Sequence, residues 1–136
     1  MIKPIVRDAF FLNQKSEKAT KVDLPAAQDL EDTLRANRER CVGMAANMIG
    51  YRKRIIIVAT GFANIVMINP VITEKNGAYE TEEGCLSLSG VRKTTRYDQI
   101  TVTYLDKKFV EHTQTFSGYI AQIIQHECDH LEGILI

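Results

Sequence analysis

The sequence lacks an excess of charge of either sign. Its 136 residues include 17 basic and 17 acidic side chains, so the formal net charge is zero. No cluster of basic residues is longer than the tripeptide Arg52–Arg54. Domains that bind nucleic acid carry a basic patch or stripe that neutralises phosphates. We therefore expect no direct nucleic-acid partner and favour a small or neutral one.

Long hydrophobic runs and abundant cysteine are also missing. The longest apolar run, Ile55–Ala59, is far shorter than the roughly 20 residues that cross a bilayer. The segment after Met1 has no apolar stretch typical of a secretion signal. Three cysteines, Cys41, Cys85 and Cys128, cannot pair completely, which argues against a secreted disulfide framework. These absences predict a cytoplasmic protein without membrane contact and with a thiol free for chemistry.

The residues that are present predict one α+β domain over residues 1–136. A hydrophobic fraction of 45% is sufficient for a core at this length, and no internal repeat or low-complexity tract is visible. Residues 1–22 are mixed and polar, which predicts an irregular arm. The periodicity predicts helices from Asp23 to about Arg38 and from Ser117 to Gly133. Strands are predicted over residues 54–60, 64–69, 71–74, 99–105 and 109–116, with a hairpin turn at Asn76-Gly77.

The C-terminal helix carries the pattern His-Glu-x-x-His at His126, Glu127 and His130. Residues four apart lie on the same face of a helix, so both imidazoles can reach one metal ion with Glu127 beside it. A catalytic metal site needs a third protein ligand and leaves one position open for water. The metal would acidify that water, and Glu127 would accept its proton.

Cys85 is the best candidate for the third metal ligand. It lies in the segment Glu83–Ser87, where a glycine allows close backbone approach, and a thiolate suits a borderline-soft ion. Cys128 falls on another face of the helix, so we expect it to pack in the core, and Cys41 is also expected to be inert. His112 lies among polar neighbours in an alternating strand and is expected to be solvated.

Three stretches in this order resemble the motifs of the peptide deformylases. They are Cys41–Gly50, Glu83–Ser87 and Gln125–His130. The resemblance covers residues 41–136. It implies a peptide-deformylase-like fold, in which antiparallel β-sheets surround a C-terminal metal-binding helix. It also implies a hydrolase of protein biosynthesis that removes the formyl group from N-formylmethionine on nascent peptides.

The resemblance implies roles for individual residues. Cys85, His126 and His130 would bind Fe(II), replaceable by zinc or nickel, and Glu127 would be the catalytic acid/base. The backbone N–H of Leu86 would stabilise the oxyanion.

Further residues are implied as contacts of the substrate. The backbone of Gly43 would contact the peptide, and Arg92 or Arg96 would position the substrate or brace the site. We also expect Met44 or Ile124 to line the pocket for a methionine side chain.

The clearest departure from the family pattern is Met48. It occupies the motif-one position at which the family has a glutamine that stabilises the oxyanion. A thioether has no N–H to donate. Removal of one such donor lowers turnover on the order of 10²–10³-fold, roughly 3–4 kcal/mol of transition-state stabilisation. Met48 therefore predicts a deformylase of reduced activity.

Two alternatives to an active deformylase stay open at this point. One is a catalytically weak or inactive metal-binding protein that binds peptide N-termini or a partner. The other is a zinc endoprotease, which shares the His-Glu-x-x-His helix but commonly recruits a carboxylate or a third histidine as ligand. The family usually continues beyond the position of Ile136, so we also expect an exposed surface there that would permit a homodimer.

Overall fold

The computed structural model describes residues 1–85 and 88–134, with residues 88–89 described by their backbone alone. In this part of the chain five strands form one antiparallel sheet in sequential order. The strands are β1 (Gly43–Ala45), β2 (Ile55–Ala59), β3 (Asn64–Cys85), β4 (Leu88–Leu105) and β5 (Glu111–Ser117). The helices are α1 (Ala9–Leu12), α2 (Leu24–Ala36) and α3 (Gly118–Leu131), with 3₁₀ turns at Lys21–Asp23 and Ala46–Ile49. The single domain over residues 1–136 stays a prediction.

The centre of the sheet is formed by β2 and the first part of β3. Ile55, Ile56, Ile57 and Val58 are all fully buried, because both faces of this strand are covered. Such a continuous run of β-branched residues is typical of a strand buried on both sides. The tight connection predicted between these two strands is confirmed.

The predicted hairpin turn at Asn76-Gly77 is wrong. β3 continues through these residues as far as Cys85, and Asn76 pairs with Gln99 of β4. Gly77 has φ +76°, and a Cβ atom there would lie 3.2 Å from the Cβ of Asp98. The glycine therefore allows the two strands to approach closely instead of reversing the chain. Pairing along the whole ribbon outweighs the local turn preference, and the predicted strand at 71–74 is a part of β3.

Helices α2 and α3 both pack against β1 and β2. α2 begins and ends close to its predicted bounds, and its residues Ala27, Leu30 and Leu34 are fully buried. The predicted capping residue Asp23 instead accepts a hydrogen bond from the backbone N–H of Thr20 at 2.8 Å. None of the helices in the described ranges is both long and apolar enough to cross a membrane.

The N-terminal arm is largely irregular, as predicted, but it is tied to the core. The backbone N–H of Val6 donates to the carbonyl of Met48 at 2.7 Å, and that of Ser16 donates to the carbonyl of Leu131 at 2.8 Å. Leu12, in the short helix α1, is fully buried. The arm therefore connects the turn after β1 to the end of α3.

Candidate active site

Helix α3 and the end of β3 bring three metal-ligating side chains together. The Nε2 atoms of His126 and His130 are 3.1 Å apart, because the two residues are separated by one helical turn. The Sγ atom of Cys85 is 3.3 Å from Nε2 of His130. The three ligand atoms all lie within 4.8 Å of one another. The grouping predicted from the sequence is therefore present in the structure.

These distances fit a divalent metal ion. Nitrogen ligands at about 2.1 Å and a sulfur ligand at about 2.3 Å from a tetrahedral ion are roughly 3.4–3.6 Å apart. The two shorter distances lie slightly below this range and all three ligand atoms are within 4.8 Å of one another, so small side-chain shifts would place them around one ion. Burial is the main cause that lowers the pKa of His130 to about 3, which keeps its imidazole in the neutral form that binds metal. Burial would also lower the pKa of His126, but hydrogen bonds to Cys85 and Glu83 outweigh it and raise that pKa to about 10, so a bound ion would have to displace the proton on Nε2 of His126.

A carboxylate from β3 orients the first histidine. Glu83 and Cys85 lie two residues apart on one strand, so both side chains point towards α3. Oε1 of Glu83 is 2.7 Å from Nδ1 of His126, which leaves Nε2 directed at the metal site. Burial would raise the pKa of Glu83, but hydrogen bonds from His126, Arg96 and Gln122 outweigh this and lower it to about 2. Glu83 is therefore a carboxylate.

Arg96 of β4 joins Glu83 to α3. Its Nη2 atom donates to Oε1 of Glu83 at 2.7 Å, and its Nη1 atom donates to Oδ2 of Asp129 at 2.6 Å. The Arg96–Glu83 ion pair is buried on both sides, whereas the side chain of Asp129 is 25% exposed. Of the two arginines considered from the sequence, Arg96 braces the site. Arg92 is half-buried on β4 opposite Glu83 and is not among the described residues that line the pocket.

Glu127 lies beside the three ligands and is almost fully buried. Its side chain is directed towards β1, where a Cβ atom on Gly43 would lie 3.1 Å from Oε2 of Glu127 and 2.6 Å from Cγ2 of Ile123. Oε1 of Glu127 has no hydrogen-bond partner within the described residues. Burial raises the pKa of Glu127 to about 7. A carboxyl group with this pKa can both accept and release a proton near neutral pH.

A pocket of about 320 Å³ opens onto Cys85, His126 and Glu127, whereas His130 is not among the described residues that line it. Its wall from α3 consists of residues at helical spacing, and its opposite walls come from β1, the preceding loop and the end of β3. The lining residues are Arg40, Cys41, Val42, Gly43, Met48, Glu82, Glu83, Gly84, Cys85, Tyr119, Gln122, Ile123, His126 and Glu127. Met44 and Ile124 were expected to line it, but both are fully buried in the core. Met44 lies next to Gly43 and points to the opposite face of β1, and Ile124 lies next to Ile123 but is rotated by about 100° around α3.

Met48 lines this pocket, and its sulfur faces the backbone. The N–H of Ala45 points to Sδ of Met48 at 3.4 Å. The neighbouring Asn47 is not among the described residues that line the pocket, and its Nδ2 atom donates to the carbonyl of His130 at 2.9 Å. Asn47 therefore holds α3 against the 3₁₀ turn, and Met48 gives the pocket an apolar surface.

The chain matches one family over nearly its whole length. The family described as polypeptide deformylase matches residues 2–136. This chain belongs to the peptide deformylase family. It is 62% identical to the peptide deformylase of Clostridium beijerinckii over 136 residues, which is 100% of both chains. It is 38% identical to peptide deformylase 2 of Clostridium acetobutylicum over 127 residues, covering 91% of this chain and 85% of that one.

Solved structures of deformylases share the fold. The actinonin-bound class I type b peptide deformylase from Acinetobacter baumannii superposes with a TM-score of 0.88 at 31% identity, covering 99% of this chain and 95% of that one. The peptide deformylase from Thermotoga maritima gives a TM-score of 0.88 at 28% identity, with the same two coverages. The predicted fold class, an antiparallel sheet with a C-terminal helix in a deformylase-like arrangement, is confirmed.

Other predictions for this deformylase have separate outcomes. Leu86 lies outside the described residues, so its oxyanion contact stays a prediction. Cys41 packs against the core as expected, and burial raises the pKa of its thiol to about 12; it also lines the pocket, where the thiol donates to the carbonyl of Gly43 at 2.6 Å. Cys128 packs against the core as expected. His112 is not simply solvated, because it contacts Oδ2 of Asp106 at 2.8 Å.

Sequence reasoning missed the contacts of Glu83 and Gln122. Glu83 was read only as part of a motif, although its separation of two residues from Cys85 already places both side chains on one face of a strand. Gln122 lies four residues before His126, which places it on the ligand face of the helix. Which partner each would find depended on the pairing of β3 with β4. The wrongly predicted turn at Asn76-Gly77 prevented the sequence from indicating that pairing.

Proposed function

We propose that Cys85, His126 and His130 hold the catalytic metal of this deformylase and that Glu127 is its acid/base. As a member of the family, the protein is a metal-dependent hydrolase that removes the formyl group from N-formylmethionyl peptides. The observation that carries the assignment is the convergence of one sulfur and two imidazole nitrogens within 4.8 Å of one another. Glu127 lies beside them in the same pocket.

The proposed reaction combines a bound metal ion with proton transfer by Glu127. When bound, a divalent cation acidifies a water molecule and polarises the carbonyl of the formyl group. Glu127 would accept a proton at Oε1, which has no hydrogen-bond partner among the described residues, and would deliver it to the nitrogen of the leaving peptide amine. The buried position of Glu127 keeps bulk water from competing for this proton, and its raised pKa matches both halves of the transfer.

The peptide is expected to lie along β1. Gly43 has no side chain between the backbone and Glu127, so a substrate backbone can approach closely there. The Met-Ala-Ser-bound class I type b peptide deformylase from Acinetobacter baumannii superposes with a TM-score of 0.89 at 29% identity. We propose that this chain releases peptides of the same kind, and that the N–H of Leu86 and the side chain of Arg92 contact the substrate.

The ion and the cellular setting are also proposals. The donor set of one thiolate and two imidazoles suits Fe(II), with Zn(II) or Ni(II) as replacements. Nascent N-formylated peptides are the proposed partners, and the cytoplasm is the proposed location. A homodimer remains an alternative to a monomer.

The direct test is formate release. The protein, purified anaerobically and loaded with Fe(II) or with Ni(II), is incubated with formyl-Met-Ala-Ser, and formate is measured with formate dehydrogenase. We expect metal-dependent formate release at a rate lowered by Met48. If neither metal form releases formate although one metal ion is bound per chain, the proposed activity is wrong.

One observation favours a second candidate, a metal-binding deformylase-like protein with little or no activity. Met48 offers no hydrogen-bond donor to the pocket, and the nearby Asn47 amide is engaged by the carbonyl of His130. Such a protein would bind peptide N-termini without hydrolysis. Binding of Met-Ala-Ser with full metal occupancy but without turnover of the formylated peptide would favour this candidate.

A further inference from the structure

Helix α3 presents a third polar side chain on the face that carries the histidines. Gln122 precedes His126 by four residues and His130 by eight, so the three side chains follow one another along a single stripe of the helix. Gln122 is half-buried and lines the pocket together with His126. Its position therefore resembles that of a site residue more than that of a surface glutamine.

The amide of Gln122 is bound to the carboxylate that orients His126. Its Nε2 atom donates to Oε2 of Glu83 at 2.8 Å, while the other oxygen, Oε1, is 2.7 Å from Nδ1 of His126. Two residues of one helix thus hold the two oxygens of one carboxylate. The carboxylate is fixed against rotation because each oxygen has its own partner on α3.

Arg96 approaches the same carboxylate from β4. Its Nε atom is 3.0 Å from Oε2 of Glu83 and 3.1 Å from Oε1, and its Nη2 atom donates to Oε1 at 2.7 Å. Within the described residues, Oε2 therefore depends on Gln122 and on one shared N–H of Arg96. Without the amide, Oε2 would face the pocket wall with only this shared bond, and the arginine would draw the carboxylate towards β4.

We propose that Gln122 is a positioning residue of the active site, which fixes Glu83 against His126 and thereby keeps the His126 imidazole aligned with the metal site. This proposal rests on the proposed metal ligands. The physical reason is that an outer hydrogen-bond partner sets both the tautomer and the ring orientation of a ligating histidine. Gln122 does not contact His126 itself; it acts through Glu83, and its side chain lines the pocket.

Two substitutions separate positioning from a general contribution to the helix. Gln122→Leu removes the donor while it keeps the side-chain size and a high helix propensity. Gln122→Glu keeps the shape but places a second carboxylate next to Oε2 of Glu83, so it repels the group that Gln122 normally holds. The matched control is Gln28→Leu, because the Gln28 amide also donates to a carboxylate, Oδ1 of Asp32 at 3.1 Å, but on the exposed face of α2.

The readout is metal binding, which does not depend on turnover. Zinc affinity is measured by competition with a chromophoric chelator, the Co(II) form is recorded by visible absorption, and the folded state is checked by circular dichroism. We expect a zinc Kd about 10-fold weaker for Gln122→Leu, a larger loss for Gln122→Glu, and a shifted Co(II) spectrum in both. The control should match the parent protein.

Each other result has a distinct meaning. A parent protein that binds no zinc overturns the proposed function and this proposal with it. A parent that binds zinc, with a Gln122→Leu variant of equal affinity and an unchanged Co(II) spectrum, overturns only the role of Gln122. The role is also overturned if both variants lose affinity equally and only in proportion to lost helix content.

Discussion

Replacement of Met48 by glutamine is expected to raise the rate of formate release strongly. Met48 is 1% exposed and lines the pocket, and the N–H of Ala45 already points to its sulfur. Glutamine has nearly the same length, so its carbonyl oxygen can accept that N–H while its NH₂ group turns towards the pocket. The new donor then faces the position where the formyl oxygen becomes negatively charged.

The magnitude follows from the two effects of this substitution. One added oxyanion donor is worth on the order of 10²–10³ in turnover, or roughly 3–4 kcal/mol of transition-state stabilisation. Burial of the amide is offset because its oxygen gains the Ala45 N–H, so we expect the free energy of unfolding to change by less than about 1 kcal/mol. The gain should appear in kcat with KM nearly unchanged, because the interaction forms only in the transition state.

The assay compares the parent, Met48→Gln and Met48→Leu, all loaded with the same metal to the same occupancy. Initial rates of formate release from formyl-Met-Ala-Ser give kcat and KM for each. Met48→Leu keeps the apolar surface and is expected to bring no gain. An unchanged kcat in Met48→Gln, with equal metal content and Tm, would refute the reasoning that a missing donor limits this enzyme.

Four further predictions concern other parts of the structure. Glu127→Gln should lower kcat by about 10²–10⁴-fold while zinc still binds, measured by formate release and metal analysis; a fully active variant would remove Glu127 from the mechanism. Gly43→Ala should lower Tm and activity, because the new methyl would lie 2.6 Å from Cγ2 of Ile123, and overpacking of this kind destabilises by about 1–3 kcal/mol; an unchanged Tm would contradict the close approach. A chelator should abolish formate release, and added Ni(II) should restore it; activity that survives complete metal removal would contradict a metal-dependent reaction. His112→Ala should raise the pKa of Asp106 towards its ordinary value, since the hydrogen bond from His112 is the main cause that lowers it; an NMR titration with no change would contradict that pairing.

The metal helix was predictable because its signal is local. His126 and His130 lie on one face wherever the helix packs, and the spacing of Ile120, Ile123 and Ile124 already indicates a helix in this segment. Cys85 was assigned from its glycine-containing segment and the family motif. Both inferences needed no knowledge of which strands pair.

The contact between Arg96 and Glu83 was harder to predict because it depends on pairing between distant segments. Arg96 reaches Glu83 only because β3 and β4 run side by side for most of their length, with Glu83 opposite Arg92. A turn at Asn76-Gly77 would have separated these residues. Strand register is set by the whole sheet, so a single strong dipeptide signal gave the wrong topology.

The separation of the ligands along the chain gives a bound ion a second effect, as a removable cross-link. Cys85 and His130 are 45 residues apart. A covalent bridge that closes a loop of this length removes chain entropy worth about 4 kcal/mol from the unfolded state. A metal ion that binds only the folded site leaves the unfolded chain unrestricted; it stabilises the folded state by mass action instead, and it joins the end of the β3–β4 ribbon to α3. Amide hydrogen exchange at the end of this ribbon and in the last turns of α3 should therefore slow together on addition of zinc.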